Sequence, residues 1–265
     1  MPDSAGAAGR SLRPWESAFR QVCTDLLVPH PIADAAAQDV AMKYSEPHRH
    51  YHTQDHLDDM VAHFNDHRDE IKDHAAVILA IVFHDVIYEA PARHKGANEE
   101  DSALFFSRFC DSAAGSAGLA AIRDKVHDYV IATIKHSVAH STDNDLKLFI
   151  DIDMAVLGRQ RDAYAKYAAE IRREYSYAPA VMYRRNRAAF WDQSLNDCDT
   201  PIFASETFRR LYEHQARGNL SWEIEQLRSG CIPGESPSSF SLSPGVGAAV
   251  VSLALVLLFV RMTRR

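Results

Sequence analysis

The stretch that most constrains this chain runs over residues 75–88. Apolar residues follow one another without a break from Ala75 to Phe83 and end in the adjacent pair His84-Asp85. Such a run suits a helix buried on most sides better than a strand, whose usual length is about 4–8 residues. A charged carboxylate at the end of so apolar a helix costs several kcal/mol unless something compensates it. A metal ion would do so, because imidazole nitrogen and carboxylate oxygen both bind divalent transition metals. Successive helical residues point about 100° apart, so a shared ion would lie off the helix shoulder. The remaining ligands must then come from other helices.

The chain offers several. Its 14 histidines are many for 265 residues, so only clustering carries weight. Thr53 or Gln54 opens a helix over residues 55–67, with Leu57, Met60, Val61 and Phe64 as its inward stripe. His52 and His56 are four apart, as are His63 and His67, a spacing that shares one helix face. After a loop at 89–96, the acids of Asn98-Glu99-Glu100-Asp101 suit a helix start, where the dipole favours them. Glu99 either serves that role or turns inward and handles a proton. His136 ends a helix expected over 119–136, where the dipole favours a cation. The segment 146–157 is apolar except for Asp151 and Asp153, carboxylates that need a partner inside such surroundings.

Further helices are expected over 15–27, 32–44, 162–177 and 180–195, the last carrying Arg184, Arg185 and Arg187, with one or two more over 205–229. There is no alternating strand pattern, no Gly-rich phosphate loop and no G-x-S-x-G, so the fold class is all-α. A net charge of -7 and a pI near 6.0 argue against a nucleic acid polymer as partner. The four cysteines form no C-x-x-C pair, which points away from a disulfide framework or a zinc ribbon.

Residues 1–13 read as a disordered leader without a secretory h-region, and 14–229 as the helical domain. A Pro/Ser-rich linker over 230–244 precedes an uncharged apolar stretch, expected to be a single C-terminal transmembrane anchor over 245–262 with a basic tail at 263–265. Such an anchor would leave the helical domain facing the cytosol. Arg261, Arg264 and Arg265 oppose this orientation by the positive-inside preference, although so short a tail can be pulled across.

His56, the pair His84-Asp85 and the later Asp153 form the order H…HD…D in an all-helical frame. Around them lie Tyr44-Ser45-Glu46-Pro47-His48-Arg49-His50-Tyr51-His52, Phe83-His84-Asp85-Val86-Ile87-Tyr88, Asn98-Glu99-Glu100-Asp101-Ser102-Ala103 and Phe149-Ile150-Asp151-Ile152-Asp153. Ile171-Arg172-Arg173-Glu174-Tyr175 and Ala216-Arg217-Gly218-Asn219-Leu220 follow. Over residues 15–228 this pattern resembles the HD superfamily, and within it the branch of predicted metal-dependent HD phosphohydrolases.

The resemblance implies an HD-domain helical bundle holding a divalent metal ion (Mn, Co, Ni, Mg, Zn or Fe) on His56, His84, Asp85 and Asp153. Asp151 and Asp153 cannot easily face one point on a helix, and Asp153 is the favoured ligand. His52, His136 and Asn98 would support the site or touch a second metal. The implied reaction is hydrolysis of a phosphate ester or anhydride of a small phosphorylated molecule, a nucleotide by family analogy. Glu99 or Asp151 would take a proton from water, and Lys135, Arg172 or Arg187 would hold the phosphate. Two alternatives remain open: a di-iron HD-type oxygenase, and a non-catalytic membrane-anchored helical scaffold.

Overall fold

The computed structural model describes residues 11–136, 138–196 and 200–234, whose regular elements are all helices, with no strand among them. The linker beyond 234, the anchor expected over 245–262 and most of the leader lie outside the described residues. Among the described residues no helix is long and apolar enough to cross a membrane.

The apolar run becomes the central helix α4, His74–Phe83, in which every residue from Ala76 to Phe83 is buried. Its valines and isoleucines favour strands intrinsically, but propensity is a weak term beside burial. Each large aliphatic side chain removed from water contributes about 1.5–3 kcal/mol. Asp73 starts the helix by accepting from the Ala76 N–H at 3.0 Å. Around α4 pack α1 (Pro14–Asp25), α3 (Gln54–Asp66), α5 (Ala97–Ser112), α6 (Ala117–Ala132) and α7 (Asn144–Met154). The helix α2, His30–Lys43, lies against α1.

The second half is built on a 3-10 segment, Ala155–Gly158, that continues α7 and packs against α8 (Arg161–Glu174) and α10 (Glu206–Arg228). The helix α9, Ala180–Asn196, lies along α10. Between them Arg187 and Glu223 form an ion pair with both side chains fully buried.

Several helix ends differ from the sequence reading. The helix α4 stops at Phe83, so His84-Asp85 sits at its C-terminal exit. The buried Arg49 guanidinium captures the chain there, donating to the carbonyls of Asp85 at 2.7 Å and Val86 at 2.9 Å. The helix α6 ends at Ala132 instead of 136, and His136 takes a left-handed φ of 48°. Gly96, at φ 87°, turns the chain into α5; a Cβ there would meet Ile134 Cδ1 at 3.1 Å.

Candidate metal centre

The exit of α4 brings His84 and Asp85 to the face of α3 that carries His56 and the end of α7 that carries Asp153. Donor atoms of His56, His84 and Asp85 all lie within 4.8 Å of one another. His84 Nε2 is 3.2 Å from Asp85 Oδ2 and 3.4 Å from His56 Nε2. Asp153 joins through Oδ1, at 3.2 Å from His56 Nε2 and 3.6 Å from His84 Nε2. Ligands held at about 2.1 Å from one ion sit roughly 3.0–3.4 Å apart, so this set has close to the spacing of a first coordination shell.

Hydrogen bonding sharpens the point. His84 Nδ1 faces the Ile81 carbonyl at 2.9 Å and donates its proton there, which leaves the Nε2 lone pair aimed at the cluster. Lone pairs and carboxylates facing one another repel unless a positive charge lies among them. Burial alone would depress the His84 imidazole, but Asp85 and Asp153 lift it to about 9. The Asp153 carboxyl is in turn held well below its usual range: burial opposes this, and His84, His136 and His56 outweigh it. The donor set therefore fits a divalent cation.

His52 lies just before α3, so it shares no helix face with His56, yet it reaches the same site. Its Nδ1 meets Glu174 Oε2 at 2.7 Å, and its Nε2 points to Asp85 Oδ2 at 3.7 Å. His136 reaches Asp153 Oδ2 at 2.9 Å, and its left-handed backbone makes that reach a strained position. Glu174 is the residue that the sequence reading missed. Its Oε1 accepts the backbone N–H groups of His50, Tyr51 and His52 at 2.8–3.0 Å, while Oε2 accepts the Tyr88 hydroxyl at 2.9 Å. Burial would raise this carboxyl, but His52 and those N–H groups hold it at about 2. Its only signal was a position in a motif, on a helix whose charged composition reads as surface.

The acids at the start of α5 divide by direction. Glu100 is exposed, whereas Glu99 is 1% exposed and has one carboxylate oxygen, Oε2, without a hydrogen-bond partner. Burial raises Glu99 to about 7. Asn98 turns to the chain instead, clamping the backbone N–H and carbonyl of Glu89 at 3.1 Å each.

Besides that of Asn98, three expected roles do not match the geometry. Asp151 faces away from the cluster, two residues from Asp153 and thus on the opposite side of α7. It accepts from the N–H groups of Ala204 and Ser205 at 2.7 Å, which makes it a structural carboxylate and not a proton acceptor for the site. Arg172 holds the end of α8 through the Tyr175 carbonyl at 2.7 Å and does not line the cavity beside the cluster. Arg187 does line that cavity, but its guanidinium donates to Glu223. Lys135 is exposed and borders it too.

No family model matches this chain, and neither the curated proteins nor the solved structures contain a match to it. Among the described residues the fold is all-helical and carries a His/Asp group that could hold a metal ion.

Proposed function

We propose that this chain is a metal-dependent phosphohydrolase of the HD type, cleaving a phosphate ester or anhydride of a small molecule. A divalent ion (Mn, Co, Ni, Mg, Zn or Fe) would be held by His56, His84, Asp85 and Asp153. The observation that carries this reading is the convergence of His and Asp donors from three separate parts of the chain at 3.2–3.6 Å. When bound, the ion supplies Lewis acidity, acidifying water and offsetting charge on phosphoryl oxygens. Glu99 handles the proton: it lines the cavity, has a free carboxylate oxygen and titrates near neutrality. Lys135 offers the substrate a positive charge that is not committed to a buried acid. His52, oriented by Glu174, supports the site from outside Asp85. The C-terminal stretch 245–262 anchors the protein in a membrane as a single pass, with the helical domain on the cytosolic side.

A second reading, a two-iron oxygenase, draws support from His52 and His136, each facing a cluster carboxylate. Metal analysis separates the two.

The test takes the full chain beside His84→Ala and Asp85→Ala variants. Bound metal per chain is measured, and phosphate release is screened with added Mn, Co or Mg. About one divalent ion per chain, with metal-dependent release lost in both variants, is the expected result. Iron at about two per chain favours the oxygenase. No bound metal and no difference among the three proteins would sink the site.

A further inference from the structure

The cluster opens onto a cavity of about 210 Å³. Two kinds of surface line it. Asp85, Asp153, Glu99, His52 and His136 bring the chemistry of the metal centre. The walls supplied by the 3-10 segment and by α8, α9 and α10 are mainly apolar: Val156, Leu157, Ile171, Phe190, Trp191 and Leu220. Apolar walls with a few polar groups gathered at one end are the usual lining of a small-molecule pocket.

The charge balance points the same way. Among the described residues lining the cavity, the permanent cations are Lys135 and Arg187, and Arg187 already pairs with Glu223 at 2.6 Å. Three carboxylates, Asp85, Glu99 and Asp153, face the same space. A nucleoside triphosphate would bring its whole polyphosphate charge to these acids, and its ribose hydroxyls to apolar walls. A single phosphate brings about -1.5 to -2 at neutral pH, a much smaller anionic load beside these acids, with one divalent ion and Lys135 to offset part of it.

We infer that the substrate is a phosphate monoester of a compact apolar alcohol, aromatic or branched aliphatic. The inference rests on the phosphohydrolase reading above and names its substrate class. Hydrolysis adds one water across the ester: the water oxygen bonds to phosphorus, the ester P–O bond breaks, and the alcohol leaves with a proton. The products are inorganic phosphate and the free alcohol, with no change of oxidation state. The phosphate lies at the metal end against Lys135 and Glu99, and the alcohol lies against Ile171, Phe190 and Leu220.

Phosphonates test this without turnover, because their P–C bond is not cleaved. The full chain loaded with Mn is titrated calorimetrically with methyl-, propyl- and pentylphosphonate, and with a non-hydrolysable nucleoside triphosphate analogue. Affinity should rise about fourfold per buried methylene, and the nucleotide analogue should bind more weakly than pentylphosphonate. Phe190→Ala should flatten the series, lowering pentylphosphonate affinity more than methylphosphonate affinity, with folding checked by its melting curve. Equal affinity along the parent series, or tighter binding of the nucleotide analogue, overturns the substrate class and leaves the hydrolase reading standing. Mn bound without any phosphonate affinity overturns phosphoryl recognition, and both readings fall together.

Discussion

Two places among the described residues bury charge in contrasting ways: the Arg187–Glu223 pair between α9 and α10, and the cluster of His56, His84, Asp85 and Asp153 at the exit of α4. In the first, charge is matched within the protein. Glu223 accepts from Arg187 Nε at 2.6 Å, from Trp191 Nε1 at 2.8 Å and from the Tyr164 hydroxyl. Asp145 is similar, taking the N–H groups of Lys72 and Asp73 at 2.9 Å each. In the second, carboxylate oxygens and imidazole nitrogens face one another at 3.2–3.6 Å, an arrangement that favours a cation. A buried acid surrounded by donors is architecture. A buried acid gathered with other acids and imidazoles is the arrangement on which the proposed metal centre rests.

The comparison breaks most visibly at the matched pair. Arg187→Ala or Glu223→Ala leaves one buried charge alone, and the cost should be about 3–5 kcal/mol. That lowers the melting temperature by roughly 6–20 °C, and saturating Mn should not restore the loss.

Glu99 gives the next largest effect. In metal-stripped protein, burial lifts it from 4.5 to about 7. Between those pH values the folded chain binds a proton that the unfolded chain has released. Stability should therefore fall as pH rises through that window, by up to about 3 kcal/mol. Glu99→Gln should flatten the slope seen in urea titrations at pH 5 and 7.5, and should remove a limb near pH 7 from phosphate release.

The cluster should answer to metal where the pair does not. Mn at 100 times its dissociation constant should stabilise the parent by about 2.7 kcal/mol, and His84→Ala should abolish that gain in thermal melts.

Glu174→Gln probes the support behind the cluster. An amide N–H in place of Oε2 faces His52 Nδ1 and pushes the imidazole proton to Nε2, toward Asp85. Metal affinity should fall by about 10–100-fold, read by competition with a metal indicator. A control closes the series: Arg93→Ala breaks an exposed pair with Asp101, and stability should change by no more than about 0.5 kcal/mol.

Much of the frame was legible in advance because it depends on local pattern. Leu57, Met60, Val61 and Phe64 are buried along α3 as their spacing predicts, and the apolar run is the central helix. Asp151 and Asp153 could be told apart only in part: helical geometry says they diverge, but not which of them meets donors. Arg172 and Arg187, expected as phosphate holders, are found on a backbone carbonyl and on Glu223, because an arginine in a helix carries no sign of the carbonyl or carboxylate it will find. Glu174 was overlooked for the same reason, its partners lying 86 to 124 residues away in sequence.

By itself the sequence determined that the described part of the chain is helical, that one apolar helix lies at its centre, and that His84 and Asp85 stand together at the end of that apolar run. These follow from periodicity and from the cost of burying a carboxylate, which short stretches of chain express. Only the tertiary structure decided that α4 ends before the pair and that Asp153 faces the cluster while Asp151 caps a loop. It also decided that Glu174 ties His50, Tyr51 and His52 in place, and that apolar walls from the second half of the chain border the site. Those outcomes depend on which distant donors reach each buried group, and that is settled by packing between helices far apart in sequence.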